Sequence, residues 1–152
     1  MALRCVVTGG SGFIGSHVVE ALRKAGHRVT NIDLKEVIPA DHYFNVDIRD
    51  SARLAEVFSQ HGQDTVFHLA AVANARAALD DPVTAVDINI RGTASVLDAA
   101  RKSGVKRVVL ASTVWYYNAV DQSVDPKKVA RGEVRYLDEN EPLLPQGGGH
   151  VY

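Results

Sequence analysis

Thr8-Gly9-Gly10-Ser11-Gly12-Phe13-Ile14-Gly15 has the clearest chemical capacity in the chain. It follows a short apolar run, Leu3-Arg4-Cys5-Val6-Val7, and opens a helical pattern. Gly9, Gly12 and Gly15 stand three apart, a G-x-x-G-x-x-G spacing. Between a strand and a helix, one glycine permits the tight turn. Another lets the backbone approach a ligand with no Cβ in the way, and a third lets the helix pack closely on its strand. The free N–H groups at the helix start, reinforced by the helix dipole, suit the pyrophosphate of a dinucleotide. Asp33 follows near the spacing at which an acidic residue meets an adenosine ribose. Its carboxylate can accept hydrogen bonds from both ribose hydroxyls and repels a 2′-phosphate, which favours NAD over NADP. Lys35 softens that preference.

Other reactive residue types offer less. His17, His27, His42, His61, His68 and His150 show no ligand spacing on a common face, so no metal site is expected. His68 reads as a satisfied strand-end residue, and Ser112 has no triad partners in order around it. Cys5, the single cysteine, lies in the first strand and reads as a buried thiol with no internal disulfide.

The elements that must hold these residues alternate. Strand one is expected at about 3–8, and a helix at about 12–25 with Ile14, Val18, Ala21, Leu22 and Ala25 on one face. Val29-Thr30-Asn31-Ile32 forms strand two, with Asp33 at its end. Tyr43-Phe44-Asn45-Val46 forms strand three, and Asp47-Ile48 follows where an adenine edge would rest. Ser51 is placed to cap a helix at about 52–61, with Leu54, Val57 and Phe58 facing inward. Thr65 to Leu69 forms strand four. Asp81-Pro82 opens a long helix carrying Val83, Val86, Ile90, Ala94, Leu97 and Ala100 on one face. Gly104 ends it, and Arg107 to Ala111 forms strand five. Mostly continuous apolar strands alternating with helices predict an α/β fold. It is a Rossmann-type doubly wound parallel sheet in the order 3-2-1-4-5, with the ligand across the switch point. Residues 1–117 form this domain. Residues 118–152 read as a long loop on the ligand side, with a short helix near 126–132.

Composition narrows the partners. Lys+Arg (17) and Asp+Glu (18) nearly cancel, so no basic surface recommends nucleic acid and no charge block suggests a tail. No apolar run approaches membrane-spanning length and no secretory leader is evident, so the expected setting is a reducing cytoplasm.

The ordered motifs resemble those of the extended short-chain dehydrogenases/reductases, and among them the NAD-dependent sugar-nucleotide epimerase/dehydratase group. The likeness rests on the glycine turn, Asp33, Asp47-Ile48-Arg49-Asp50, His68-Leu69-Ala70-Ala71, Asn89-Ile90-Arg91-Gly92-Thr93, Ser112-Thr113 and Gly149-His150-Val151-Tyr152. The resemblance implies that Gly9, Gly10, Ser11, Gly12, Phe13, Ile14 and Gly15 cradle the NAD pyrophosphate and that Asp33 holds the ribose. It implies that Asp47 and Ile48 border the adenine, that Leu69, Ala70 and Ala71 pass beneath the cofactor, and that Asn89 holds the middle of the site through its amide. It makes Thr113 the residue that hydrogen-bonds the reacting sugar oxygen. Tyr152 becomes the tyrosine of a Tyr-x-x-x-Lys motif, exchanging a proton with the sugar hydroxyl.

The pattern departs from the family in three places. Thr113-Val114-Trp115 stands where 4,6-dehydratases carry Thr-Asp-Glu, which points away from water elimination. Trp115-Tyr116-Tyr117-Asn118 replaces the family's usual Val-Tyr-Gly. The motif lysine position and the sugar-binding domain lie past Tyr152, so the chain is expected to be the N-terminal part of a longer enzyme and inactive alone. For that enzyme the resemblance implies C4 epimerisation of a nucleoside-diphosphate sugar through a keto intermediate, in a homodimer paired through the long helix. An NAD(P)H-dependent reductase of the same family and a non-catalytic NAD-binding module are the alternatives.

Overall fold

A computed structural model of the chain describes residues 1–36, 39–112 and 131. The expected roles of Thr113 and Tyr152, the aromatic run at 115–118 and the helix near 126–132 lie outside the described residues. All the elements below belong to the compact unit that contains Met1–Ala111. Five strands, β1 (Arg4–Thr8), β2 (Arg28–Asp33), β3 (His42–Asn45), β4 (Thr65–His68) and β5 (Arg107–Leu110), make one sheet in the order β3-β2-β1-β4-β5. Every pairing is parallel, and Thr8 lies level with Ile32 on one side and His68 on the other.

Helix α1 (Phe13–Lys24) covers one face, where Val7, Val19 and Val29 are fully buried. Its inward line runs through Gly15 and Val19, with Val18 and Leu22 beside them. The expected face is therefore rotated. Ile14, Ala21 and Ala25 are exposed, because the close seat of Gly15 on the turn sets the helix's rotation. Helix α2 (Ser51–His61) and the later helix α5 (Thr93–Lys102) cover the other face. Leu54, Val57 and Phe58 of α2 meet Val6, Ile32, Val66 and Val96 there. The cap of α2 is Asp50, which accepts from the Arg53 N–H, rather than Ser51.

Residues 34–41 join β2 to β3, with no helix among those described. A short helix that the sequence did not announce, α3 (Ala75–Asp80), is capped by Asn74. The long helix starts as expected, with Asp81 capping and Pro82 in the first turn of α4 (Pro82–Val86). A π-helical stretch, Asp87–Gly92, then leads into α5. Gly92 sits so close to Ile48 that an added methyl would lie 2.6 Å from its Cδ1. No described helix is long and apolar enough to cross a membrane.

Phe58 is fully buried between α2 and the sheet. Phe58→Ala is expected to destabilise the unit by about 3–5 kcal/mol, measured as a lower urea midpoint at an unchanged slope.

Candidate functional site

The C-terminal ends of β1 to β4 open onto one cleft of about 400 Å³. Parallel strands all end on the same side, and the chain leaves β1 and β4 in opposite directions, so a crevice opens between them. Of the residues expected to bind, Gly9, Ser11, Gly12, Asp33, Asp47, Ile48, Leu69, Ala70 and Ala71 line this cleft. Ile32, Leu34, Lys35, Val46, Arg49, Val72 and Ile88 line it too. The apolar ones among these carried no signal beyond strand or helix propensity.

The turn after β1 is shaped by close backbone approach. Gly9 has φ +72°, a left-handed conformation, and a methyl there would come within 2.7 Å of the Ala70 nitrogen. A methyl on Gly15 would overlap the Gly9 carbonyl oxygen. The start of α1 is thereby pressed against the exit of β1. Gly12 is the helix cap and offers no capping side chain, and the first turn holds no acidic residue. The first helical bond runs from the Ser16 N–H to the Gly12 oxygen, and the Gly12 N–H is taken by the Gly9 oxygen at 3.0 Å, so the N–H groups of Phe13, Ile14 and Gly15 are the ones left without a partner inside the helix, a potential anion seat. Phe13 and Ile14 are 85% and 62% exposed at this mouth without lining the cleft.

Asp33 ends β2 beside the turn. One carboxylate oxygen accepts from the Ser11 N–H at 3.0 Å, and the other from the Leu34 N–H at 2.7 Å. The carboxylate therefore both ties the glycine turn to β2 and presents negative charge to the cleft. At the far end, Arg49 folds back on Asp47, with 2.6 Å between Nη2 and Oδ2, and also reaches Asp87 of the π-helical stretch at 3.1 Å. The Arg49 guanidinium holds the Asp47 carboxyl below the usual carboxylate range. Bonds from Arg91 first, and then from Arg49, bring Asp87 down to about 2.

The floor is held by a directed hydrogen-bond chain. Thr93 Oγ1 donates to the Asn89 carbonyl at 2.6 Å, so at its 2.9 Å contact with His68 it must accept from a protonated Nε2. Nδ1 is then the acceptor for the Thr8 hydroxyl at 2.6 Å, and Thr8 Oγ1 accepts the Ala70 N–H at 3.4 Å. His68 is 2% exposed, and burial pushes its pKa down from 6.5, which keeps the imidazole neutral. The Asn89 amide pairs with the Val72 backbone, accepting its N–H at 2.8 Å and donating to its carbonyl at 3.2 Å. Asn89 thus braces the loop after β4 and does not itself line the cleft.

This sheet order, with helices on both faces and a cleft at the switch point, defines a Rossmann-type domain. The chain belongs to the NAD dependent epimerase/dehydratase family, whose model matches residues 5–142. It is 37% identical over 126 residues to a UDP-N-acetyl-alpha-D-glucosaminuronate decarboxylase of Bacillus cytotoxicus, covering 77% of this chain and 38% of that protein. It is 34% identical over 147 residues to a UDP-glucose 4-epimerase of Lacticaseibacillus casei, covering 93% and 42%. Among solved structures, the UDP-glucose 4-epimerase of Thermotoga maritima with UDP-glucose superposes with a TM-score of 0.72 at 33% identity, covering 76% of this chain and 40% of that one. The UDP-glucose 4-epimerase of Thermus thermophilus in complex with NAD gives 0.69 at 37% identity, covering 73% and 38%. The chain spans about two fifths of the length of these relatives.

The neutral His68 has a pH consequence. Its folded pKa lies below its unfolded value, so its contribution is present above about pH 6.5 and is lost as pH falls through the folded pKa. The urea midpoint is expected to drop as pH falls below about 6.5, with a shallower drop in His68→Asn.

Proposed function

We propose that this chain is the cofactor-binding part of an NAD-dependent epimerase acting on a nucleoside-diphosphate sugar, with C4 inversion through a keto sugar. The observation that carries the reading is the composition of one cleft. A glycine turn that tolerates no added methyl at Gly9, Gly10 or Gly15, an acidic residue at the end of β2, and the small residues Ala70 and Ala71 share it, in a chain whose relatives include UDP-glucose 4-epimerases.

These residues fit NAD. The N–H groups at the start of α1 and Ser11 would hold its diphosphate, Asp33 its adenosine ribose, and Asp47 with Ile48 its adenine, while Leu69 to Ala71 leave room for the middle of the molecule. Asp33 would repel a 2′-phosphate, which supports NAD over NADP. When bound, NAD supplies the hydride-accepting chemistry. Tyr152 would take the proton from the sugar hydroxyl and Thr113 would hydrogen-bond the same oxygen, roles that rest on the family motif. A tyrosine ordinarily titrates near ~10. Acting at neutral pH requires a shift of about three units, roughly 4 kcal/mol, which a neighbouring cation would provide. The cytoplasm is the setting this reading implies.

One observation favours a second reading within the family, the 37% identity to a decarboxylase. Product analysis separates the two in an enzyme extended to its relatives' length. Epimerisation interconverts two sugar nucleotides with no net change in the nicotinamide. Release of carbon dioxide from a nucleoside-diphosphate hexuronate would favour the decarboxylase, and sustained oxidation of NADH would favour a reductase. For the chain alone, titration calorimetry is expected to show NAD bound more tightly than NADP. Gly15→Ala should abolish binding, and no sugar turnover is expected. No heat with either coenzyme would refute the reading.

The homodimer belongs to the same proposal. Val83, Val86, Ile90 and Leu97 are 78%, 41%, 66% and 41% exposed along the outer side of the long helix, an apolar stripe suited to a second copy. Ile90→Glu is expected to shift sedimentation velocity toward the monomer.

A further inference from the structure

Asn31 is out of place in its strand. It lies in the interior of β2, between Thr30 and Ile32, and pairs in register with Val7 on one side and Tyr43 on the other. Its neighbours Val29 and Ile32 are fully buried apolar residues, and Asn31 is itself 0% exposed. A strand covered on both faces is normally filled by branched apolar side chains. An amide here gives up its hydration, and Oδ1 recovers no hydrogen bond, since it has no partner among the described residues. Valine would avoid that cost, so the amide invites an account beyond packing.

Its two contacts supply one, and both lie in the glycine turn. Nδ2 donates to Ser11 Oγ at 3.1 Å. Oδ1 lies under Gly10, in the space a Cβ at that position would enter, and the same methyl would come within 3.1 Å of Val19 Cγ2. The second glycine of the turn is therefore required by Asn31 underneath it. The Gly10 Cα–H directed at Oδ1 favours the oxygen on this side and the NH₂ group toward Ser11. Ser11 is thus held at two points from β2, its N–H by Asp33 and its hydroxyl oxygen by Asn31. A hydroxyl that accepts from a buried amide retains its own proton to donate. No described residue takes that proton, and Ser11 lines the cleft beside Gly9 and Gly12.

We propose that Asn31 is a positioning residue, which orients the Ser11 hydroxyl as a hydrogen-bond donor to the diphosphate of the bound cofactor. The proposal rests on the NAD reading above and adds a residue that never touches the ligand. Its action is confined to the diphosphate. Adenosine, which reaches only the Asp33 and Asp47 end of the cleft, should be indifferent to it. ADP and NAD should not.

The test measures binding of adenosine, ADP and NAD to the 152-residue chain by calorimetry, directly or in competition. The variants are Asn31→Val, Asn31→Ala, Ser11→Ala and Asn31→Val combined with Ser11→Ala. Each Asn31 variant is expected to lose about 3- to 10-fold in ADP and NAD affinity, with adenosine changed less than about twofold. Ser11→Ala should lose as much, and the double variant no more than either single one, because the two groups act as one donor. Unchanged ADP affinity in a folded Asn31 variant would overturn the proposal, as would equal losses for adenosine and ADP or additive losses in the double variant. Should neither Asn31 variant fold, Ser11→Ala still decides, since undiminished ADP affinity there removes the donor the proposal requires. ADP binding to the unsubstituted chain with no Asn31 effect defeats this inference alone. Its complete absence defeats the cofactor reading and the inference together.

Discussion

Gly15 has no room for a side chain because the Gly9 carbonyl oxygen occupies the position its Cβ would take. That contact draws the start of α1 onto the exit of β1. It sets the helix's rotation, so that Val19 enters the core and Ile14 stays outside. It also directs the uncapped N–H groups toward the mouth of the sheet. Gly9, held at positive φ, in turn comes within van der Waals distance of the Leu69–Ala70 peptide, so the exits of β1 and β4 are locked together. The cleft is the space left where those two exits diverge.

Around this contact the strands carry polar groups in positions that burial would fill with apolar ones. Thr8, Asn31 and His68 are each 2% exposed or less. Two of them belong to a single directed chain from the Ala70 N–H to the Asn89 carbonyl, in which every proton has one place to go. Such a chain adds little net stability over apolar packing, since its groups give up water to form it. What it adds is orientation. One imidazole tautomer and one loop position satisfy all the bonds at once. Asn31 adds to the pattern from β2 through its Nδ2, while its buried oxygen has no hydrogen-bond partner among the described residues.

The long helix serves two surfaces. Ala85, Gly92, Val96, Ala99 and Ala100 face inward, and their small size lets the helix lie close to Ile48 and the sheet. Val83, Val86, Ile90 and Leu97 face out. The π-helical stretch between α4 and α5 widens one turn. It carries Asp87 to Arg49 and Asn89 to Val72, so both ends of the cleft are braced from one element.

Much of this was legible in the residues. The glycine spacing, the apolar strand before it and Asp33 at the next strand end are local patterns. Parallel order followed from alternation of strands with helices and from the handedness of crossovers. The π-helical turn was not legible, because its composition is that of any amphipathic helix, and it becomes visible only where Asn89 and Gly92 meet the loop and Ile48. Helix α3 lacks the periodicity of a longer element and shows only its Asn74 cap. Nor did the sequence reveal which apolar stripe of the long helix faces the core, since both stripes have helical spacing. Local pattern decided the fold and the seat of the cleft, because turns, caps and strand periodicity act over a few residues. Only the tertiary structure decided what Thr8, Asn31, His68 and Asn89 do. Their partners are supplied by other strands and loops, and a hydrogen bond depends on position in space rather than separation along the chain.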